Sequence, residues 1–203
     1  MNKPASFRKM RIKRYQSASN PDGALWSGSA FRPGYFNAMP QDGLEPCQCP
    51  QCKPFYENKR AGDLIWGFVC RLAQRLKKNG VPGYVTSMAY PPYLDVPDLE
   101  IPDNVLVMVA TMGPWSEKYP ALQEKEDKLI RDWSAKLKHK VWLWNYINDH
   151  AGRVPSGVPP LSTKWIADYY KRNAPYLTGA FIESENEHFI FQYLNYYVFM
   201  KVA

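Results

Sequence analysis

The chain has 203 residues, the size of one ordinary domain and enough to bury most of the surface that the unfolded chain would expose. Its formal net charge of +7 falls to +1 without the six basic residues of the first 14 (Lys3, Arg8, Lys9, Arg11, Lys13, Arg14), a stretch that holds no acid. That pattern describes a solvated basic leader and not a nucleic-acid surface. No apolar run follows the leader to make a secretory signal, and no stretch reaches the ~18 apolar residues of a membrane span, so neither nucleic acid nor membrane is expected as a partner.

In chain order, residues 1–33 lack a sustained period and read as an irregular basic lead-in with turn signals at Asn20-Pro21-Asp22-Gly23 and Ser27-Gly28-Ser29. A strand is expected at about 34–39, running into Gln41-Asp42, followed by a Cys- and Pro-rich loop over 40–62. Asp63 is a good N-cap for a helix with an apolar stripe of Leu64, Ile65, Phe68, Val69, Leu72, Ala73 and Leu76, closed by Lys77, Lys78 and Gly80. Val85–Ala89 reads as a strand ending at Tyr90, and the Pro-rich segment 91–103 links it without a helix to a strand at Val105–Ala110.

Ser116 to His139 reads as one long helix with an apolar face of Leu129, Ile130, Trp133 and Leu137 and a solvated charged face from Glu124 to Lys128. A strand at 141–146 leads to a Gly/Pro loop at 151–160, then to a helix capped by Ser162 or Thr163 that ends near Asn173. The last strand is expected at 179–183. The closing helix, about 187–202, carries no charge from Phe189 to Met200, which predicts burial on all its sides.

Short apolar runs alternating with amphipathic helices predict an α/β fold whose parallel sheet is covered on both faces, with any ligand site at the C-terminal strand ends. Five strands in this order look like the later part of a (β/α)8 barrel. The expectation is an incomplete TIM barrel over 34–203, with three further strand–helix units encoded upstream of Met1. A complete open five-stranded domain is the alternative.

The residues Asp42-Gly43, Cys47-Gln48-Cys49-Pro50-Gln51-Cys52, Asp63-Leu64-Ile65-Trp66-Gly67-Phe68-Val69, Met88-Ala89-Tyr90, Pro102-Asp103-Asn104-Val105, Trp133, Val141-Trp142-Leu143-Trp144-Asn145-Tyr146 and Gly179-Ala180-Phe181 carry a family resemblance. Over roughly 34–202 the chain resembles the domain of unknown function 4838 family of large bacterial proteins, grouped with barrel-type glycoside hydrolases. The resemblance implies a barrel, a carbohydrate partner and, for full-length members, an extracytoplasmic setting. The chain's own residues assign no compartment, and the family supplies no catalytic residues. Cys70 stands where the family more often has Asn.

Glycoside hydrolysis needs two carboxyl groups flanking the scissile bond. Acids at expected strand ends are Asp42, Asp149, Glu183 and Glu185, and of these Asp42 and Glu183 are the expected catalytic pair. Against this, Asp-Gly is a common turn and a glutamate can cap the last helix. An aromatic content of 15% suits stacking on pyranose rings. Tyr90, Trp144 and Tyr146 are the expected platforms, with Glu185 as a further substrate-binding group. Trp142 and Trp144 share one strand face, so one could serve the core and the other the site. The function expected is a glycoside hydrolase, or part of one, acting on polysaccharide-derived glycosides; a non-catalytic carbohydrate-binding protein is the alternative.

Cys47, Cys49 and Cys52 form the sharpest local pattern. Three thiolates could hold a structural Zn, but such a site takes four ligands, and none of His139, His150 and His188 is near in sequence. Cys70 is placed on the helix side away from the apolar stripe. A metal completed from elsewhere, one disulfide with a free thiol, and reduced packing cysteines all stay open. Beyond this loop no cofactor is expected: no dinucleotide, P-loop, zincin or serine-hydrolase pattern occurs.

Overall fold

The computed structural model describes residues 34–40, 45–146, 161–183 and 189–203. Five parallel strands form one sheet in the order β1-β2-β3-β4-β5: β1 Tyr35–Asn37, β2 Tyr84–Ala89, β3 Val105–Ala110, β4 Val141–Tyr146 and β5 Leu177–Glu183. The helices are α1 Lys53–Glu57, α2 Ala61–Lys78, α3 Pro120–Leu137, α4 Thr163–Asn173 and α5 Phe189–Val202, with 3₁₀ segments at Gly113–Lys118 and Ala174–Tyr176. The chain divides into two compact units, Met1–Ser87 with Leu99–Leu106 and Met88–Asp98 with Val107–Ala203.

In the first unit, α2 buries Trp66, Val69, Cys70, Ala73 and Leu76, while Phe68 is exposed. This corrects the expected stripe by a small rotation: positions 66, 69, 70, 73 and 76 lie together at helical spacing, so Cys70 belongs to the core and not to the outer face. The helix starts at Ala61 with Arg60 at the N-cap, and Asp63 sits in the first turn, where its carboxylate accepts from Arg60 Nε at 2.7 Å. Asn104 Nδ2 donates to the Ala73 carbonyl at 3.0 Å, fixing the lead into β3 against α2.

In the second unit, β3, β4 and β5 are successive parallel neighbours joined by crossovers that contain α3 and α4. Right-handed crossovers stepping in one direction place both helices on one face of the strands. Val107, Val109, Val141, Leu143 and Asn145 are accordingly buried on that face. The opposite face carries Met108, Trp142, Trp144, Tyr146, Phe181 and Glu183, aligned by the pairs Met108↔Trp142, Trp144↔Phe181 and Tyr146↔Glu183. Trp142 is 38% and Phe181 44% exposed, so among the described residues this face lacks the cover that parallel sheets usually have on both sides.

The expected 116–139 helix is instead a 3₁₀ segment followed by α3. Pro120, in the first turn, supports a fresh start there, and Lys138, in the left-handed region at φ 59°, ends it. Helix α5 also departs from expectation. Gln192 and Asn195 are buried while Tyr193, Tyr197 and Met200 are exposed. The reason is a polar demand inside: Asn195 Oδ1 accepts from the Ser162 backbone N–H at 2.9 Å, at the N-cap of α4. Tyrosine hydroxyls tolerate the water-facing side.

Candidate functional site

The C-terminal ends of β4 and β5 bring together three of the residues singled out from the sequence. Trp144, Tyr146 and Glu183 share the open face, because side chains alternate along a strand and the register sets Tyr146 beside Glu183 and Trp144 beside Phe181. A register shift between Val141 and Trp142 puts Trp142 opposite Gly179. A Cβ at position 179 would lie 2.6 Å from the Trp142 ring, so a glycine there lets the indole lie flat on β5. Trp142 and Trp144 thus both belong to the open face, and neither enters the helix-covered core.

Trp144 Nε1 donates to Glu183 Oε2 at 3.1 Å, and the Trp144 ring lies 4.3 Å from that of Phe181. The bond uses one carboxylate oxygen and fixes the indole, while both residues remain half-buried. Tyr90 stands at the C-terminal end of β2, also half-buried, with its carbonyl accepting from the Tyr93 N–H at 2.7 Å. Asp42, Asp149 and Glu185 lie outside the described residues.

Behind this face lies a buried polar network that sequence reasoning missed. Asn145, on the covered face of β4, donates from Nδ2 to Thr111 Oγ1 at 2.7 Å and accepts from the Tyr170 hydroxyl at 2.7 Å. Thr111 Oγ1 also pairs with the Tyr169 hydroxyl at 2.9 Å. Gly113 passes directly over Asn145. Its φ is +70°, and an added Cβ would sit 2.8 Å from the Asn145 side chain, so both conformation and space require glycine.

Glu126 and Asp127 are buried, contrary to the solvated face expected for Glu124–Lys128. Position 126 lies four residues before Ile130 and seven before Trp133, squarely on the apolar stripe, and that spacing was the available signal. The Glu126 carboxylate accepts from the backbone N–H groups of Met112 (2.7 Å) and Gly113 (3.3 Å), tying the loop after β3 to α3. Burial pushes its pKa up to about 7, against the opposing pull of those two N–H groups. Asp127 accepts from Arg172 Nε at 2.6 Å and from Asn173 Nδ2 at 2.9 Å, and Arg172 also binds Glu117.

A carboxyl raised in the folded state favours folding while it stays protonated. Its contribution is complete below the unfolded value near 4.5 and is lost as pH rises towards about 7. The span corresponds to on the order of 3 kcal/mol. Urea midpoints measured from pH 4.5 to 8 should therefore fall less steeply with pH for Glu126→Gln than for the wild type. Identical profiles would show that Glu126 is already ionised in the fold.

In the first unit, the sulfurs of Cys47, Cys49 and Cys52 all lie within 4.8 Å of one another. No disulfide joins them, and the backbone N–H of Cys52 leads the hydrogen bonds that lower the Cys49 thiol to about 7.

Residues 34–203 match the family described as Domain of unknown function (DUF4838). The chain belongs to this family. The DUF4838 domain is also similar to the crystal structure of beta-N-acetylhexosaminidase from Bacteroides fragilis NCTC 9343, at 15% identity and a TM-score of 0.35. That match covers 83% of this chain and 40% of the hexosaminidase chain, so the DUF4838 chain spans less than half of that protein's length. A search of curated proteins finds no match to it.

Proposed function

We propose that the open face of β4 and β5 binds a carbohydrate and that the domain takes part in glycoside hydrolysis. The observation that carries this reading is the Trp144–Glu183 pair, an indole and a carboxylate joined at 3.1 Å on a sheet face open to solvent. An aromatic face receives the C–H side of a pyranose, and a carboxylate oxygen accepts its hydroxyls. Phe181 and Tyr146 extend the platform on the same face.

Hydrolysis adds a second demand. One carboxyl group protonates the leaving oxygen, while the other activates water or attacks the anomeric carbon. Glu183 is proposed for one role from its place at a strand end, and Asp42 for the other from its sequence position just past the first strand. The exposed apolar face is also the side that further strands of a closed (β/α) barrel would cover. This supports reading the described strands as part of such a barrel.

The test measures binding and turnover across a panel of oligosaccharides and aryl glycosides. Glu183→Gln should abolish turnover and retain binding, while Trp144→Ala should weaken binding by up to about tenfold, the worth of one aromatic contact. Binding without turnover in the wild type would assign the non-catalytic role. Absence of binding to every glycan would sink both readings.

A further inference from the structure

We infer that Cys47, Cys49 and Cys52 bind one zinc ion through three thiolates and that this ion orders the segment from Cys47 into α1. Nothing in the carbohydrate proposal depends on it.

The geometry comes first. In a tetrahedral zinc–thiolate site a Zn–S bond of about 2.3 Å sets neighbouring sulfurs about 3.8 Å apart. The three sulfurs here already lie within 4.8 Å of one another, so small side-chain rotations would close them on an ion. A disulfide would explain two converging sulfurs but not three.

The backbone is already turned for this. The N–H groups of Cys52 and Lys53 both donate to the Cys49 carbonyl, at 3.1 and 3.0 Å, which curls the chain so that residues 49 and 52 approach. All three ligands fall within six residues, so little loop-closure entropy opposes binding.

Among the described residues the segment has little apolar support of its own. Helix α1 buries none of its residues, and its Lys53–Glu57 pair is exposed. A five-residue helix with only Phe55 and Tyr56 half-buried and no side-chain cap gains little from its own propensity, whereas a metal can take the place of a core in a short segment. Thiolate donors select zinc among the common divalent ions. On binding, each thiol gives up its proton, and water or another donor fills the fourth position.

The experiment uses the full chain, purified with a thiol reductant and freed of metal by chelation. Titration with Co2+ should give one equivalent per chain, with a sulfur-to-metal charge-transfer band and the intense visible bands of a tetrahedral ion, both displaced by Zn2+. Zn2+ should shield three thiols from a thiol reagent and slow tryptic cleavage after Lys59 and Arg60, and a chelator should reverse both effects. Cys49→Ser should weaken Co2+ binding at least ~100-fold, beyond the loss typical of a supporting residue, and Cys70→Ser should leave the charge-transfer band in place. Absence of the band in the reduced wild type, or three thiols that react freely in excess Zn2+, would overturn the inference. So would undiminished binding in Cys49→Ser.

Discussion

Replacing Arg172 by methionine should lower stability by about 3 kcal/mol, the low end of the cost of breaking a buried ion pair from one side. Arg172 bridges Glu117 and Asp127, whose side chains are only 10% and 9% exposed, while the arginine itself is 34% exposed. Burial works against the guanidinium's charge, but the two carboxylates outweigh it and push its pKa higher still. Methionine would fill much of the space yet leave two buried carboxylates without their cation. Because the cost resides in those charges, Asp127→Asn in the Arg172→Met background should recover part of the lost stability. Urea unfolding of both variants measures this, and a single-variant loss below ~1 kcal/mol would show that water already screens the bridge.

Trp133→Ala should cost about 3–5 kcal/mol, as expected for emptying a fully buried aromatic site. Trp133 is completely buried on the apolar stripe of α3, between Ile130 and Leu137, and its Nε1 donates to the Leu94 carbonyl at 2.9 Å. Alanine would lose the packing and the hydrogen bond together. Trp133→Phe keeps most of the ring and only gives up the bond, so it should fall well short of the alanine loss. Equal losses in the two variants would place the energy in the link to Leu94 and not in the packing.

Strands were the most legible part of the sequence. Val105–Ala110 and Val141–Tyr146 occur where the apolar runs put them, since β-branched and aromatic stretches bounded by turn residues leave little room for another period. Helix faces were harder. Cys70 and Glu126 both fall at core spacing: the first is missed when the apolar stripe is drawn slightly rotated, through Leu64 and Phe68, and the second because a carboxylate reads as solvated when polarity is allowed to outweigh position. Helix α5 misled in the opposite sense, because two amides took the inner side.

At the candidate site, the strand ends pointed to Trp144 and Glu183 individually. Their hydrogen bond depends on the register of β4 against β5 and on the shift at Val141/Trp142, which no single-strand pattern contains. The Thr111–Asn145–Tyr170 network was unreadable for the same reason: its members are joined only when the crossover returns α4 to the sheet.

Strand β4 divides its six residues between two duties. Val141, Leu143 and Asn145 decide whether the unit folds, whereas Trp142, Trp144 and Tyr146 decide what its open surface presents. Mutational drift at the second set is uncoupled from the first by nothing more than the two-residue pleat. A library randomised at 142, 144 and 146 therefore samples new recognition on an inherited scaffold. The same library shifted by one position samples mostly unfolded protein.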